Sequence, residues 1–165
     1  AVDEAQGREV RPMLETNVDA PLDAHIPHDY IRSEVQRLKA YRRIADIDGQ
    51  ESMLDVTEEL IDRYGEPPEA VQNLMRTALI KAYAGLAYLE SVTLRDGEAM
   101  LRFAENAAID GGRLIAAISQ MQGAQLTASE PPSIRIRQAN VPAQELSKRL
   151  LPFLSALTRC VAEPV

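Results

Sequence analysis

The sequence contains no tryptophan, one cysteine and two histidines, and aromatic residues make up only 4% of it. A folded core must therefore be built from aliphatic side chains and methionine. The lone thiol, Cys160, cannot form an internal disulfide, so we expect a reducing, cytoplasmic compartment. Arg159 is its only evident local activator, and we predict no catalytic cysteine.

His25 and His28 flank an Ile-Pro pair, but zinc takes three or four ligands at characteristic spacings, and we predict no metal site.

Glycine is also scarce, with eight residues in 165. A phosphate-binding loop requires clustered glycines followed by a lysine, and that pattern does not occur. The adjacent pair Gly111-Gly112 stands before Arg113 at a predicted helix start, which makes at most a weak anion site. We therefore predict no nucleotide and no other cofactor.

Positive charge is in deficit, because 25 acidic residues outnumber 18 basic ones and the formal net charge is -7. Such a surface repels phosphate backbones and anionic lipid, so we predict no direct nucleic-acid contact and no membrane contact. The densest basic segment, RLKAYRR at residues 37–43, spreads its charges over more than one helical face, and we interpret it as solvated. No apolar run is long enough to span a bilayer, no signal-peptide pattern is present, and the first residue is not methionine; we expect a piece of a longer polypeptide.

The first half of the chain has the caps and apolar periodicity of helices. We predict a flexible leader over residues 1–14 and an edge strand around Val18, because Pro21 cannot donate to a sheet. Helices are then predicted near residues 34–46, 50–64 and 68–90. In the first helix, the residues expected to face the core are Ile31, Val35, Leu38 and Ala45. Gly85, inside the third helix, is expected to mark a close crossing with another element.

The second half changes to the alternation of β-hairpins. Asp96-Gly97 is a hairpin turn dipeptide, and folding about it places Leu94 opposite Ala99. An Asp110 N-cap predicts a helix whose apolar residues are Leu114, Ile115, Ile118 and Met121. A second hairpin is predicted on the two sides of Pro131-Pro132, and a last helix follows in which Pro152 should produce a kink or a break.

These elements predict an α+β fold in one domain over residues 15–165. The helical first half packs with a small antiparallel sheet, made of two hairpins plus an edge strand, and with a C-terminal helix. We expect the second helix to face the core through Leu60, Ile61 and Tyr64. In the third helix the expected core stripe extends to Leu86 and Leu89.

Three charged residues near the end of the second helix are the candidate functional residues. Glu59 and Arg63 lie four residues apart on the exposed face, and Asp62 lies beside them. They are open to three interpretations: a solvated helix face, a docking surface, or a catalytic pair of carboxylates, Glu59 and Asp62, with Arg63 binding an acidic substrate. By spacing alone, the solvated face is favoured over docking, and docking over catalysis.

Three motifs in order change this balance. The runs IPHDYI at residues 26–31, RLKAYRRIA at 37–45 and EELIDRYGEPPEAVQNLM at 58–75 resemble the C-terminal domain of the bacterial transcription-repair coupling factor, Mfd. That family carries Ile-Pro-x-x-Tyr-Ile, then Leu-x-x-Tyr-x-Arg-Ile-Ala, then Glu-Leu-Ile-Asp-Arg-[Phe/Tyr]-Gly-x-x-Pro. The resemblance is close over residues 18–90 and looser over 91–161.

The resemblance implies a domain without catalytic activity that takes part in transcription-coupled nucleotide excision repair. Its partner is implied to be the UvrB-like N-terminal module of the same polypeptide, docked so that the UvrA-binding surface is masked. Glu59, Asp62 and Arg63 match the family's contact positions and are implied to make polar contacts to that module. ATP-dependent DNA translocation, and contact with RNA polymerase and DNA, are implied only for the rest of the parent protein. A small enzyme and an adaptor for an unrelated partner remain the alternatives.

Overall fold

Five helices and five strands follow one another in residues 14–162, the part of the chain that this computed structural model describes. The helices are α1 Glu34–Ala45, α2 Gln50–Tyr64, α3 Glu69–Leu86, α4 Gly111–Gln120 and α5 Ala143–Thr158. The strands are β1 Asn17–Asp19, β2 Leu89–Arg95, β3 Glu98–Phe103, β4 Ala124–Thr127 and β5 Ser133–Arg137. The α+β prediction is confirmed.

The five strands form one mixed sheet in the order β1-β2-β3-β5-β4. The predicted edge strand is β1, which pairs in parallel with β2, and the other pairings are antiparallel. In the first hairpin Leu94 lies opposite Ala99 and Arg95 opposite Glu98, as the turn dipeptide predicted. Gly97 takes the positive φ of 76° that this turn needs.

Two cores lie on either side of α3, the long central helix. One is formed by the sheet with α5 and includes Ile80 and Ala84 of α3. The other joins α1, α2 and the start of α3, and includes Val71 and Met75. Tyr83 packs against both cores. The first core holds the sheet, and the second positions α1 and α2, the latter of which carries the three candidate residues.

The third helix ends earlier than predicted. It stops at Leu86, Tyr88 takes a positive φ of 58°, and Leu89 is the fully buried first residue of β2. A buried leucine suits the end of a helix and the start of a strand equally well, so periodicity alone did not separate them. Leu86, expected in the core, is exposed.

The core stripe predicted for α1 was right only at Ile31, which is buried. Val35 and Leu38 are 63% and 54% exposed, and Ala45 is also exposed, whereas Ala40 and Ile44 are buried. The packed face is therefore rotated from the predicted stripe and includes a small residue, which lets neighbouring backbones approach closely. The same error occurs at Ile115 of α4 and at Ile61 of α2, which are exposed.

Pro152 does not break the last helix, which runs without interruption from Ala143 to Thr158. Proline removes the N–H that would bond the carbonyl of Lys148, four residues earlier. Both residues lie on the exposed side of α5, so water can satisfy that carbonyl.

The predicted leader lies almost entirely outside the described residues. Its last residue, Leu14, donates its backbone N–H to the carbonyl of the buried Gly85 at 3.4 Å, so the chain before β1 approaches α3 at that glycine. None of the helices in residues 14–162 combines the length and apolar character needed to traverse a lipid bilayer.

We predict that Gly123→Ala destabilises the fold. Gly123 has a φ of 80°, and an added Cβ would lie 2.0 Å from the carbonyl oxygen of Arg137 across the β4–β5 pair. Backbone strain and this contact should lower the free energy of unfolding by about 1–3 kcal/mol or more. Chemical denaturation measures the change.

Gly111→Ala is the matched control, since Gly111 begins α4 and an added Cβ would meet no atom within 4 Å. It should leave stability unchanged or raise it by up to about 1 kcal/mol. Equal losses in the two variants would contradict the close approach described at Gly123.

Candidate interaction face on helices α1 and α2

The three sequence motifs converge at the end of α2. Tyr30 of the first motif donates its hydroxyl to the carbonyl of Gly65 of the third at 2.7 Å, and its ring lies 5.8 Å from that of Tyr64. Tyr41 of the second motif accepts the backbone N–H of Ile26 at 2.9 Å. The arm before α1 thus ties both helices together.

Gly65 ends α2 for a conformational reason. It takes a φ of 86°, which disfavours other residues, and its N–H bonds the carbonyl of Ile61 at 3.0 Å. Burial, followed by the negative charge of Glu66, raises the pKa of Tyr30, so this hydroxyl stays protonated and available as a donor. The helix end that carries Asp62 and Arg63 is therefore held in place.

The start of α2 is fixed by a variant of the capping box. Gly49 is the N-cap, and Ser52 is the side chain that bonds back. The Ser52 hydroxyl accepts the Gly49 N–H at 3.2 Å and donates to the Asp48 carboxylate at 2.8 Å. A serine three residues after the cap performs the role that a glutamate or glutamine has in the common capping box.

The three candidate residues have different surroundings. Glu59 is half-buried and accepts from the Arg43 Nε of α1 at 3.2 Å, rather than pairing with Arg63 on its own helix. The side chains of Asp62 and Arg63 are exposed and make no hydrogen bond or ion pair within residues 14–162. Ion pairs at this degree of exposure contribute about 0.2–1 kcal/mol, so the Arg43–Glu59 pair orients the helices more than it stabilises them.

A groove of about 180 Å³ lies between α1 and α2. Its charged lining is three basic side chains and one acidic one, namely Lys39, Arg43, Arg63 and Glu59. The groove is locally positive in a chain of net charge -7. Asp62 does not line it and lies on the outer side of α2, so the structure brings Glu59 and Arg63 into one groove but not all three residues.

Sequence reasoning missed the contribution of α1 to this face. The RLKAYRR segment, interpreted as solvated, supplies Lys39 and Arg43 to the groove. Val35 lies one turn before Lys39, and its exposure adds an apolar element beside the basic ones. The pattern that could have indicated this face is the presence of two apolar residues, Val35 and Leu38, on the exposed side of the helix that also carries the basic residues.

The other candidate sites are occupied by the chain's own groups. His25 contacts Asp23 at 2.8 Å, and residues 14–162 contain no cluster of three or more side chains suited to a metal ion. At Gly111-Gly112 the Asp110 carboxylate accepts the Arg113 N–H at 3.1 Å. A carboxylate already sits where an anion would bind.

Comparison with known proteins gives the family. The model of the TRCF domain matches residues 20–114, more than half of the chain. The chain belongs to the TRCF domain family. The match covers the arm, α1 to α3, the first hairpin and the start of α4, and it therefore includes the whole α1–α2 face.

Relatives of the TRCF domain are transcription-repair-coupling factors. That of Myxococcus xanthus is 26% identical over 160 residues, which cover 97% of this chain and 13% of that protein. That of Bacillus subtilis is 32% identical over 117 residues, 69% of this chain and 10% of that protein. That of Mycobacterium tuberculosis is 40% identical over 80 residues, 47% of this chain and 6% of that protein. The chain thus spans about a tenth of the length of these relatives.

The fold is shared with a solved structure, a crystal structure of the C-terminal domain of transcription-repair coupling factor. The TM-score is 0.82 at 23% sequence identity, and the alignment covers 92% of this chain and 96% of that one. At this identity the likeness establishes the fold. It extends beyond residue 114, over the second half that matched the sequence motifs only loosely.

We predict that Cys160 reacts slowly with thiol reagents. The residue is buried, and burial, followed by the charge of Asp110, raises its pKa. Alkylation of the folded protein should be about tenfold or more slower than in denaturant. Mass spectrometry of the alkylated protein over time measures both rates.

The raised pKa also sets the direction of a pH effect. The folded state holds the Cys160 thiol proton more tightly than the unfolded state does. This difference contributes fully to the free energy of unfolding below the pKa that the thiol has in the unfolded state. The contribution is lost as the pH rises through the pKa that the thiol has in the folded state. Cys160→Ala, which lacks the group, should lose less stability over that alkaline range. Alkylation at equal rates in the folded and unfolded states would contradict the burial.

Proposed function

We propose that this TRCF domain is a non-catalytic, autoinhibitory docking domain of a transcription-repair coupling factor. It docks on the UvrB-like N-terminal module of the same polypeptide and masks the surface that binds UvrA in transcription-coupled nucleotide excision repair. ATP-dependent DNA translocation and contact with RNA polymerase and DNA belong to other parts of the parent protein. The observation that carries the proposal is the pair Asp62 and Arg63, exposed and without side-chain partners in residues 14–162.

The placement of this pair supports docking. Asp62 and Arg63 lie in the last turn of α2, whose following glycine is held by Tyr30. A charge pair on a held backbone loses less conformational freedom on binding than one on a loose loop. Asp62 and Arg63 carry opposite charges on neighbouring faces of the helix. A partner therefore has to place a basic side chain against Asp62 and an acidic one against Arg63, which makes the contact specific.

The α1–α2 groove extends the contact beyond these two residues. Lys39, Arg43 and Arg63 leave its rim positive, and Val35 offers an apolar contact at its side. Glu59 keeps Arg43 oriented along the groove. The partner surface is therefore expected to place acidic side chains against the groove and a basic one against Asp62.

Exposed charge pairs suit a contact that must open. They are screened by salt and contribute modestly to affinity, so the closed state lies only a few kcal/mol below the open one. A competing partner such as UvrA, or engagement of the motor with RNA polymerase, then suffices to shift the equilibrium. A large apolar interface would resist such a shift.

The catalytic alternative has less geometric support. It requires Glu59 and Asp62 to act as paired carboxylates, but only Glu59 lines the groove, and Arg43 holds it. The third alternative, an adaptor with an unrelated partner, uses the same exposed face. It is separated from our proposal by the partner that binds.

We predict that Asp62→Ala combined with Arg63→Ala weakens docking without unfolding the domain. Both side chains are exposed, so the thermal midpoint should change little, within about 0.5 kcal/mol of stability. Binding of the domain to the separately purified UvrB-like module should weaken by about tenfold or more, since two interfacial charges are lost. Calorimetry or a pull-down, with and without moderate salt, measures the effect.

The matched control is Asp19→Ala combined with Arg95→Ala, which removes one acidic and one basic residue from the edge of the sheet. This variant should bind as the unaltered domain does. A large loss of thermal stability in the Asp62/Arg63 variant would show a structural role, and undiminished binding would overturn the docking proposal. Binding to a different protein through the same residues would favour the adaptor.

A further inference from the structure

A second apolar surface lies on the side of α2 away from the Arg63 groove. Leu54 is 57% exposed, and Ile61, seven residues later on the same helical face, is also exposed. Beside Leu54 a groove of about 600 Å³ runs between α2, α3 and α5. Its apolar lining includes Met53, Leu79 and Leu151. None of the interactions described above uses this groove.

Acidic side chains border this apolar surface along the whole of α2. They recur at intervals of four, three and four residues, which places them on one exposed helical face: Glu51, Asp55, Glu58 and Asp62. None of the four forms an ion pair within residues 14–162. Elsewhere some surface carboxylates are paired, as Asp19 is with Arg95 and Glu98 with Arg135, and others are not, but no other helix carries four unpaired carboxylates on one face in residues 14–162. We call the four residues the acidic ridge.

The charge of the ridge restricts what can cover the groove. Nucleic acid would be repelled by four unpaired carboxylates next to the apolar residues. A second copy of the chain docked symmetrically would bring two such ridges together, since a two-fold contact repeats the same patch. Glu51 is the one charged residue lining the groove. Complementarity therefore requires basic side chains flanking an apolar stripe.

The spacing indicates the form of the partner. Leu54 and Ile61 are seven residues apart, a distance of about 10.5 Å along a helix that rises about 1.5 Å per residue. A second helix laid along α2 repeats its apolar and charged side chains with the same rise. Side chains on one face of an extended strand recur about every 6.6 Å, which does not match the spacing between Leu54 and Ile61.

We propose that the Leu54 groove and the acidic ridge bind a cationic amphipathic helix of another protein segment. Its apolar stripe would lie on Leu54 and in the groove, and its lysines or arginines would face the ridge. This is the helix-in-groove mode of recognition. The surface goes beyond the docking function proposed above, because it uses the Leu54 side of α2 and shares only Asp62 with the docking contact.

The test uses a labelled synthetic peptide of about 18 residues with leucines at helical spacing and lysines on both flanks. It is titrated against the 165-residue protein by fluorescence anisotropy. Leu54→Ser should weaken binding by about tenfold, which corresponds to about 1.4 kcal/mol, because the partner loses its apolar contact with the leucine side chain. Asp55→Asn combined with Glu58→Gln should weaken binding most at low salt.

Ile115→Ser is the matched control, since Ile115 is 65% exposed but lies on α4, outside both proposed surfaces. It should leave peptide binding unchanged. Two further peptides, one with the lysines replaced by glutamates and one of scrambled order, should bind at least about tenfold more weakly. An unchanged affinity in Leu54→Ser, equal losses in Leu54→Ser and Ile115→Ser, or equal binding of the scrambled peptide would overturn the proposal. None of these results depends on Arg63, so the docking proposal is tested separately.

Discussion

The hydrogen bond from Tyr30 to the carbonyl of Gly65 is the contact on which the α1–α2 face depends. It joins the arm before α1 to the end of α2, so that both helices keep a fixed position over α3. Gly65 makes the bond possible because its positive φ turns the chain sharply after Tyr64. Without this constraint the last turn of α2 would fray, and its exposed charges would be spread over many positions.

Helix α2 separates its charges by function. On the side of α1, Glu59 is used internally, in an ion pair that aligns two helices. On the outer side, a row of carboxylates remains without intramolecular partners in the described residues, next to exposed leucine and isoleucine. Some other surface carboxylates are paired, as Glu90 is with Arg102 and Glu98 with Arg135 in the sheet. Four unpaired carboxylates at helical spacing on one face are the property expected of a surface that other segments recognise.

Much of the fold was predictable, for identifiable reasons. The first hairpin register followed from Asp96-Gly97, because a two-residue turn and an alternating pattern leave a single pairing. The inward face of α1 was not predictable, since Ala40 is less apolar than Val35 and its burial follows from helix packing. The exposure of Asp62 followed from helical spacing, whereas the partner of Glu59 did not. Arg43 reaches it only because α1 and α2 lie side by side, which is a tertiary fact.

The short strand β1 has a mechanical consequence. The chain reaches the domain beside the last turn of α3, bonds Gly85 through Leu14, and then pairs with β2 over only three residues. The arm behind β1 is fixed before it reaches Tyr30. The His25 N–H bonds the Ala70 carbonyl at 3.2 Å, the Asn73 amide bonds the Asp23 carbonyl at 3.0 Å, and Ile26 is buried. A pull that peels β1 from the sheet edge therefore meets these contacts before it reaches the Tyr30–Gly65 hydrogen bond, which protects the end of α2 from movement at the sheet edge.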